Sequence, residues 1–315
     1  RYTLFKKNWV KFIIMVFVFT AVTSPFVVLF GPFNNVKRAV IGAILQSRHP
    51  QYITWLFSND ELQSILGTVG VVKSQDLFKF NAREDKDLKL EKIESSRYVG
   101  YVLEIPDPRR IQVATAANIQ EKGDTTSNIA KMNGAVAAIN GGGFHDPNGT
   151  GTGRLPYGFI LHEGDYIIGK DVGPDESVDF VGFSKSGNLI AGNYDKTELA
   201  DMKAMEGITF GPPLIVDGKK MITDGDGGWG VGPRTAIGQR KDGTVLFVVI
   251  DGRQPGYSLG ATLRDVQDVL YEKGAYIAAN LDGGSSSTLY LNGKVVNKPA
   301  DLLGERMIPT AFIVK

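Results

Sequence analysis

Ala279-Asn280-Leu281-Asp282-Gly283-Gly284-Ser285-Ser286-Ser287 is the stretch that decides how this chain folds. Tyr276 to Ala279 leads in as an extended run, and Thr288 to Leu291 leads out to an Asn292-Gly293 hairpin turn. Glycines there let the backbone approach a ligand and expose its N–H groups, while the serine hydroxyls add donors and acceptors around the Asp282 carboxylate. The composition therefore builds a polar site, although Asp-Gly-Gly is also ordinary turn material.

Outward from this stretch the same grammar recurs. Ala137-Ala138-Ile139-Asn140-Gly141-Gly142-Gly143-Phe144 is again an apolar strand running into Asn and glycines. Gly232-Pro233-Arg234-Thr235-Ala236-Ile237-Gly238 and Val248-Val249-Ile250-Asp251-Gly252-Arg253 set an arginine, and an Asp/Arg pair, at strand ends. Beyond Tyr98 the pattern is of short strands between glycine turns. Val99 to Ile105 and Ile111 to Ala116 read as partners around Pro106-Asp107-Pro108, Phe180 to Ser184 and Leu189 to Gly192 as a hairpin, and Val245 to Ile250 as a strand after Asp242-Gly243. Two helices stand out: Thr262 to Tyr271, with Leu263, Val266, Val269 and Leu270 on one face and Thr262 with Asp265 at its start, and a shorter one from Thr126 to Met132. Strands with few helices predict an α+β fold with mixed or antiparallel sheets.

Together with Gly304-Glu305-Arg306, these motifs, in this order over residues 98 to 315, resemble the phosphodiester glycosidase family, to which the lysosomal uncovering enzyme belongs. The resemblance implies cleavage of a glycosidic bond to phosphate, as in an N-acetylglucosamine phosphodiester. Phosphate monoester is already a fair leaving group, so the site needs less acid assistance than an alcohol would demand. It needs cations for the phosphate, a carboxylate facing the oxocarbenium-like carbon, and hydroxyl contacts. Arg234, Arg253 and Arg306 suit the first role because a guanidinium forks onto phosphate oxygens. Asp282, Glu305 and Asp251 are the candidates for catalysis in a two-carboxylate scheme, and Asn140, Gly141, Gly142, Gly283, Gly284, Ser285 and Ser286 for substrate binding. Asp251 and Arg253 alternate along an extended chain and so point the same way, which also fits a surface ion pair.

Other residues carry weaker signals. His145 follows the glycine run directly and reads as a loop residue bound to backbone, whereas His49 and His162 have no chemical company. Asp251, Asp282, Asn140 and carbonyls would suit Ca²⁺ or Mg²⁺, the only cofactors in view. Asp224-Gly225-Asp226-Gly227-Gly228 lacks a complete EF-hand loop and reads as mobile, carrying Trp229 as a candidate sugar-stacking ring. Nucleotide folds are disfavoured because no G-x-x-x-x-G-K-[ST] occurs and the run at 141–143 lacks the G-x-G-x-x-G spacing. A serine hydrolase at Ser285 to Ser287 would lack both a G-x-S-x-G elbow and a companion histidine.

Composition bounds the rest. A chain of 315 residues with 43% hydrophobic residues, 38 glycines and a net charge of +1 can bury a large core, and its charge does not call for nucleic acid. With no cysteine, disulfides, thiolate metal sites and a cysteine nucleophile are excluded. Phe12 to Phe30 carries no charge and is long enough to span a bilayer, while Arg1, Lys6, Lys7 and Lys11 before it put the N-terminus in the cytoplasm and the C-terminal domain outside. An uncleaved single-pass anchor is expected rather than a signal peptide, and Pro25 would interrupt a buried core helix. Val36, Val40, Ile41, Ile44 and Leu45 share a helical face, Gln51 to Leu66 is similar, and Trp55, Leu56 and Phe57 would meet membrane, domain or a second copy. The charged stretch from Lys73 to Arg97, including Arg83 to Asp87, reads as a solvated linker or surface helix.

The expected organisation is a stub and transmembrane helix at 1–33, a juxtamembrane helical region at 34–97 and a glycosidase-like domain at 98–315. Without cysteine-supported modules, only the domain chemistry of the family carries over. The expectation is thus a bacterial, membrane-anchored hydrolase meeting sugar-phosphate or envelope polysaccharide, including exopolysaccharide. The alternative is a non-catalytic protein that binds or assembles such glycans.

Overall fold

The computed structural model describes residues 2–45, 51–66, 72–74, 77–81, 84–146, 151–169, 172–301 and 303–315; His49 and Arg83 lie outside them. It comprises two compact units, one of residues 1–67 with 228–230, the other of 68–227 and 231–315.

The first unit is helical. Helix α1 (Tyr2–Phe30) contains an apolar segment, Trp9–Phe30, of mean hydropathy 2.5 with none of it buried. Pro25 lies within this unburied helix. A proline removes one backbone donor, and apolar helices that cross membranes tolerate this where local groups rearrange. Helices α2 (Asn34–Leu45), α3 (Gln51–Thr54) and α4 (Asn59–Leu66) follow, meeting at a small core of Ile41, Ile53 and Leu62. The single helix expected over 51–66 is broken because Ser58 starts a new one: its N–H donates to Glu61 Oε2 at 2.8 Å, and Glu61 N–H donates back to Ser58 Oγ at 3.3 Å.

The described residues of the second unit form three sheets. The seven-stranded sheet runs in the order β1 (Lys89–Glu94), β2 (Val99–Ile105), β13 (Val245–Ile250), β12 (Arg234–Arg240), β14 (Ala275–Leu281), β10 (Pro213–Val216) and β11 (Lys219–Lys220). A five-stranded sheet has the order β16 (Lys294–Val295), β15 (Leu289–Leu291), β4 (Ala137–Asn140), β17 (Thr310–Val314) and β3 (Ile111–Thr115). The other has β6 (Asp165–Ile168), β5 (Ile160–His162), β9 (Ala204–Thr209), β7 (Val178–Ser184) and β8 (Leu189–Tyr194). Leu103, Val113, Ile139, Val181, Phe247 and Phe312 belong to one core fed by all three sheets. Helix α5 (Thr126–Met132) packs Ile129 and Ala130 on the alanine-rich outer face of the β4 and β17 strands. A short α6 (Lys196–Asp201) follows β8, and α7 (Leu263–Glu272) opens with the expected Thr262–Asp265 capping box. Small residues admit α7: a Cβ on Gly238 would stand 2.8 Å from Leu270.

Two expectations are corrected. Lys89–Glu94 is neither linker nor surface helix but an edge strand, paired with β2 along its whole length. Its lysines and glutamates are what an edge strand carries to discourage further pairing. Strands β2 and β3 are not partners either: β2 lies between β1 and β13, while β3 pairs with β17. The intervening turn of 3₁₀ helix, Pro108–Arg110, is capped by Asp107, whose Oδ1 accepts from Arg109 N–H at 3.1 Å, and it redirects the chain from one sheet to another.

Strand register decides which side chains can meet. Arg234 opens β12 opposite Ile250 of β13, and Thr235 lies opposite Leu281 of β14. Arg234, Asp251 and Asp282 therefore emerge at the same end of the seven-stranded sheet.

Candidate active site

Strands β14 and β15 flank the Asp282 turn as expected, yet they belong to different sheets. The turn is thus a crossing between layers. It is pinned to the end of β4: Asp282 N–H donates to Gly141 O at 3.0 Å, and Asn140 Nδ2 donates to Asp282 O at 2.5 Å. Asn140 Oδ1 in turn accepts from Thr235 Oγ1 at 2.8 Å and Thr288 N–H at 3.1 Å. Fully buried and engaged at both ends, Asn140 holds the turn and has its polar atoms turned to protein rather than sugar.

The Asp282 carboxyl is pushed up to about 6 from its ordinary 3.8, chiefly by burial. The Ser286 hydroxyl, Arg306, the Gly283 N–H and Arg253 all act in the opposite direction, so desolvation outweighs two guanidiniums. A Cβ on Gly284, whose φ is 61°, would stand 3.3 Å from both terminal nitrogens of Arg253. The Arg253 guanidinium therefore lies over the turn. Arg253 itself has φ 59°, so the backbone curls there. Asp251 is buried and Arg253 exposed, so the two side chains do not share one environment as alternation along an extended chain predicts.

Arg234 is buried beneath the turn, with Nε donating to Ala261 O at 3.0 Å and Nη1 3.8 Å from where a Gly283 Cβ would be. Burial first, then Arg253, lowers its pKa to about 10. Arg306 approaches from the other side. Its guanidinium lies over the Phe144 ring at 4.7 Å and its Nη2 donates to Asp146 Oδ2 at 2.9 Å.

The partner carboxylates expected for Asp282 are engaged elsewhere. Asp251 accepts from Asn297 Nδ2 at 3.0 Å and Lys298 N–H at 2.9 Å through one oxygen, and from Tyr257 at 3.0 Å through the other. Burial raises its pKa against those bonds. It ties two loops together beneath the site. Glu305 caps α5, accepting from Ser127 N–H at 2.9 Å and from the Ser127 hydroxyl. Of the oxygen donors expected for Ca²⁺ or Mg²⁺, Asp251 and the Asn140 amide are engaged by protein donors, and no group of three or more His, Asp or Glu gathers among the described residues. Gly141 and Gly142 present N–H groups to Thr310, not outward. Ser285 is half-buried on the turn, and Ser286 and Ser287 are buried, the Ser286 hydroxyl facing the Asp282 carboxyl.

Three residues at this end of the fold were not singled out as site members. Burial first, and then the charges of Asp282 and Asp146, raise the pKa of Tyr157. Its ring meets His145 edge-on, centroids 4.4 Å apart, and lies 2.8 Å from where a Gly143 Cβ would be. Asp146 orients Arg306. His145 does donate its backbone N–H to Leu155 O at 2.9 Å, but its imidazole is exposed beside Tyr157. The glycine run before Phe144 was the available signal, since only glycine lets Tyr157 and Phe210 close on it. His162, expected to be without company, meets the buried Glu206 at 2.9 Å. Trp229 groups with the helical unit.

Fold and site together define an α+β protein carrying a half-buried, weakly acidic carboxyl among arginines. Residues 133–315 match the family model described as phosphodiester glycosidase, and the chain belongs to that family. The match begins after α5, later than residue 98. The chain is 32% identical over 197 residues to the SPbeta prophage-derived uncharacterized protein YomE of Bacillus subtilis, covering 60% of this chain and 29% of that protein. It is 25% identical over 203 residues to N-acetylglucosamine-1-phosphodiester alpha-N-acetylglucosaminidase of Bos taurus, covering 58% and 36%. It thus spans well under half the length of these relatives. The zebrafish N-acetylglucosamine-1-phosphodiester alpha-N-acetylglucosaminidase catalytic domain, auto-inhibited by pro-peptide, superposes with a TM-score of 0.62 at 21% identity, over 78% of this chain and 88% of that one.

Proposed function

We propose that the chain is an extracytoplasmic hydrolase that cleaves the glycosidic bond to phosphate in a sugar phosphodiester of a cell-envelope glycan or exopolysaccharide, anchored by α1. The observation that carries this reading is the Asp282 carboxyl, raised to about 6 yet flanked by Arg253 and Arg306. Near pH 6 such a group exists in both protonation states, so it can take a proton from water or stabilise an adjacent cationic carbon. Arg253 and Arg306 hold the phosphate and stabilise the charge that collects on it as the C–O bond breaks. Tyr157 supplies a partly exposed ring for a sugar face. Family membership supports the bond type, and the bovine relative's name supports N-acetylglucosamine as the first sugar to try.

The test is hydrolysis of an N-acetylglucosamine-1-phosphate alkyl diester by the full chain in detergent, reading free sugar. Asp282→Asn is expected to lower turnover by roughly 10²-fold with the fold intact. Near-normal turnover in the folded variant would remove Asp282 from the reacting centre. Tight binding of the diester by wild type without sugar release would instead favour a glycan-binding or assembly protein.

A further inference from the structure

The helical unit closes its own core and still leaves large apolar side chains in water. Ile41, Ile53 and Leu62 are buried at its centre. Phe57 stacks on Phe30, ring centroids 5.6 Å apart at 26°, which ties the turn after α3 to the last residue of α1. Beside that junction Trp55 is 84% exposed, Tyr52 65% and Leu56 40%. They alternate with the inward Ile53 and Phe57, so the local fold aims them away from the core.

Position and chemistry indicate what covers them. They lie at the C-terminal end of a helix whose segment Trp9–Phe30 has the length and apolarity to cross a bilayer. Trp and Tyr, with an apolar ring body and a polar N–H or O–H, are the side chains that settle at the boundary between headgroups and acyl chains. Arg38 Nε donates to Ile65 O at 2.8 Å and braces α4 beside this junction. We propose that residues 51–57 are an interfacial clamp, with Tyr52, Trp55 and Leu56 seated in the headgroup layer of the bilayer that α1 crosses. The clamp fixes the depth of α1 through the Phe30–Phe57 stack. It rests on the reading of α1 as a membrane span.

The test uses the full chain in phosphatidylcholine vesicles containing brominated lipid and reads tryptophan quenching. W9F/W229F leaves Trp55 as the reporter, and W55F/W229F leaves Trp9. Trp55 is expected to emit at shorter wavelength than in water and to be quenched more by bromines high on the acyl chain than by bromines near its methyl end, as for a group about 5–10 Å inside the boundary. Quenched Trp9 with unquenched, water-like Trp55 would overturn the clamp while keeping the span. Unquenched Trp9 would overturn the span and the clamp with it. Trp55 shielded in a concentration-dependent manner without lipid quenching would assign the surface to a second copy and refute the proposal. Should W229F unfold the chain, the difference in quenching between wild type and W55F reads the same quantity.

Discussion

At Asp282 the carboxyl loses more by leaving water than it recovers from Ser286, Arg306 and Arg253, and this sets both its chemistry and its cost. Because its folded value of about 6 lies above the ordinary 3.8, the native state keeps a proton that the unfolded chain has released between those values. Stability from this group is therefore greatest below about pH 4 and is lost as pH rises through 6, reaching about 3 kcal/mol at neutral pH. Asp282→Asn should accordingly raise the urea midpoint at pH 7.5 and give little gain at pH 4; equal gains at both values would mean the carboxyl is not desolvated. Activity that needs the carboxylate should rise through about pH 6 in a pH–rate profile. The arginines separate in the same way. Arg253→Lys is expected to lower kcat/KM about 10-fold, near 1.4 kcal/mol, with unchanged stability, because an exposed ammonium cannot reproduce the fork. Arg234→Lys is expected to cost about 1–3 kcal/mol of stability through the buried bond to Ala261, read from the urea midpoint.

Among elements, the turn from β14 to β15 does the positioning, and its glycines can be tested against a control. Gly284 and Gly293 both have positive φ, 61° and 88°. Alanine at either should cost about 1–2 kcal/mol of stability through the left-handed backbone. Only at 284 would the new Cβ meet the Arg253 guanidinium, whereas nothing lies within 4 Å at 293. Gly284→Ala is therefore expected to lose activity and Gly293→Ala to keep it. Equal kinetics in the two variants would separate Arg253 from the site. The turn was legible in the sequence because its cause is local: a strand, a glycine pair and a strand ending in Asn292-Gly293. Helix α7 was legible for the same reason, its capping box lying within four residues. What Glu305 does was not legible, since its carboxylate is assigned by Ser127, far away along the chain.

For the molecule as a whole, one core joins all three sheets, with Phe247 of β13 fully buried in it. Phe247→Ala is expected to cost about 3–5 kcal/mol through lost burial and the cavity left behind. Urea denaturation followed by near-ultraviolet circular dichroism checks this, and a loss under 1 kcal/mol would mean the sheets do not share a core. By itself the sequence determined the α+β class, most of the strands, both longer capped helices, the apolar N-terminal helix and the family, because periodicity, caps, turns and motif order are properties of neighbouring residues. Only the tertiary structure decided that β2 and β3 belong to different sheets, that the charged run at 89–94 is an edge strand, and that Asp251 and Asn140 are held by protein donors while Tyr157 comes near Asp282 and Asp146 pairs with Arg306. Those outcomes depend on which distant donor reaches which carboxylate and which strand edge remains open. Both are settled by packing across the core, on which the order of residues along the chain has no direct hold.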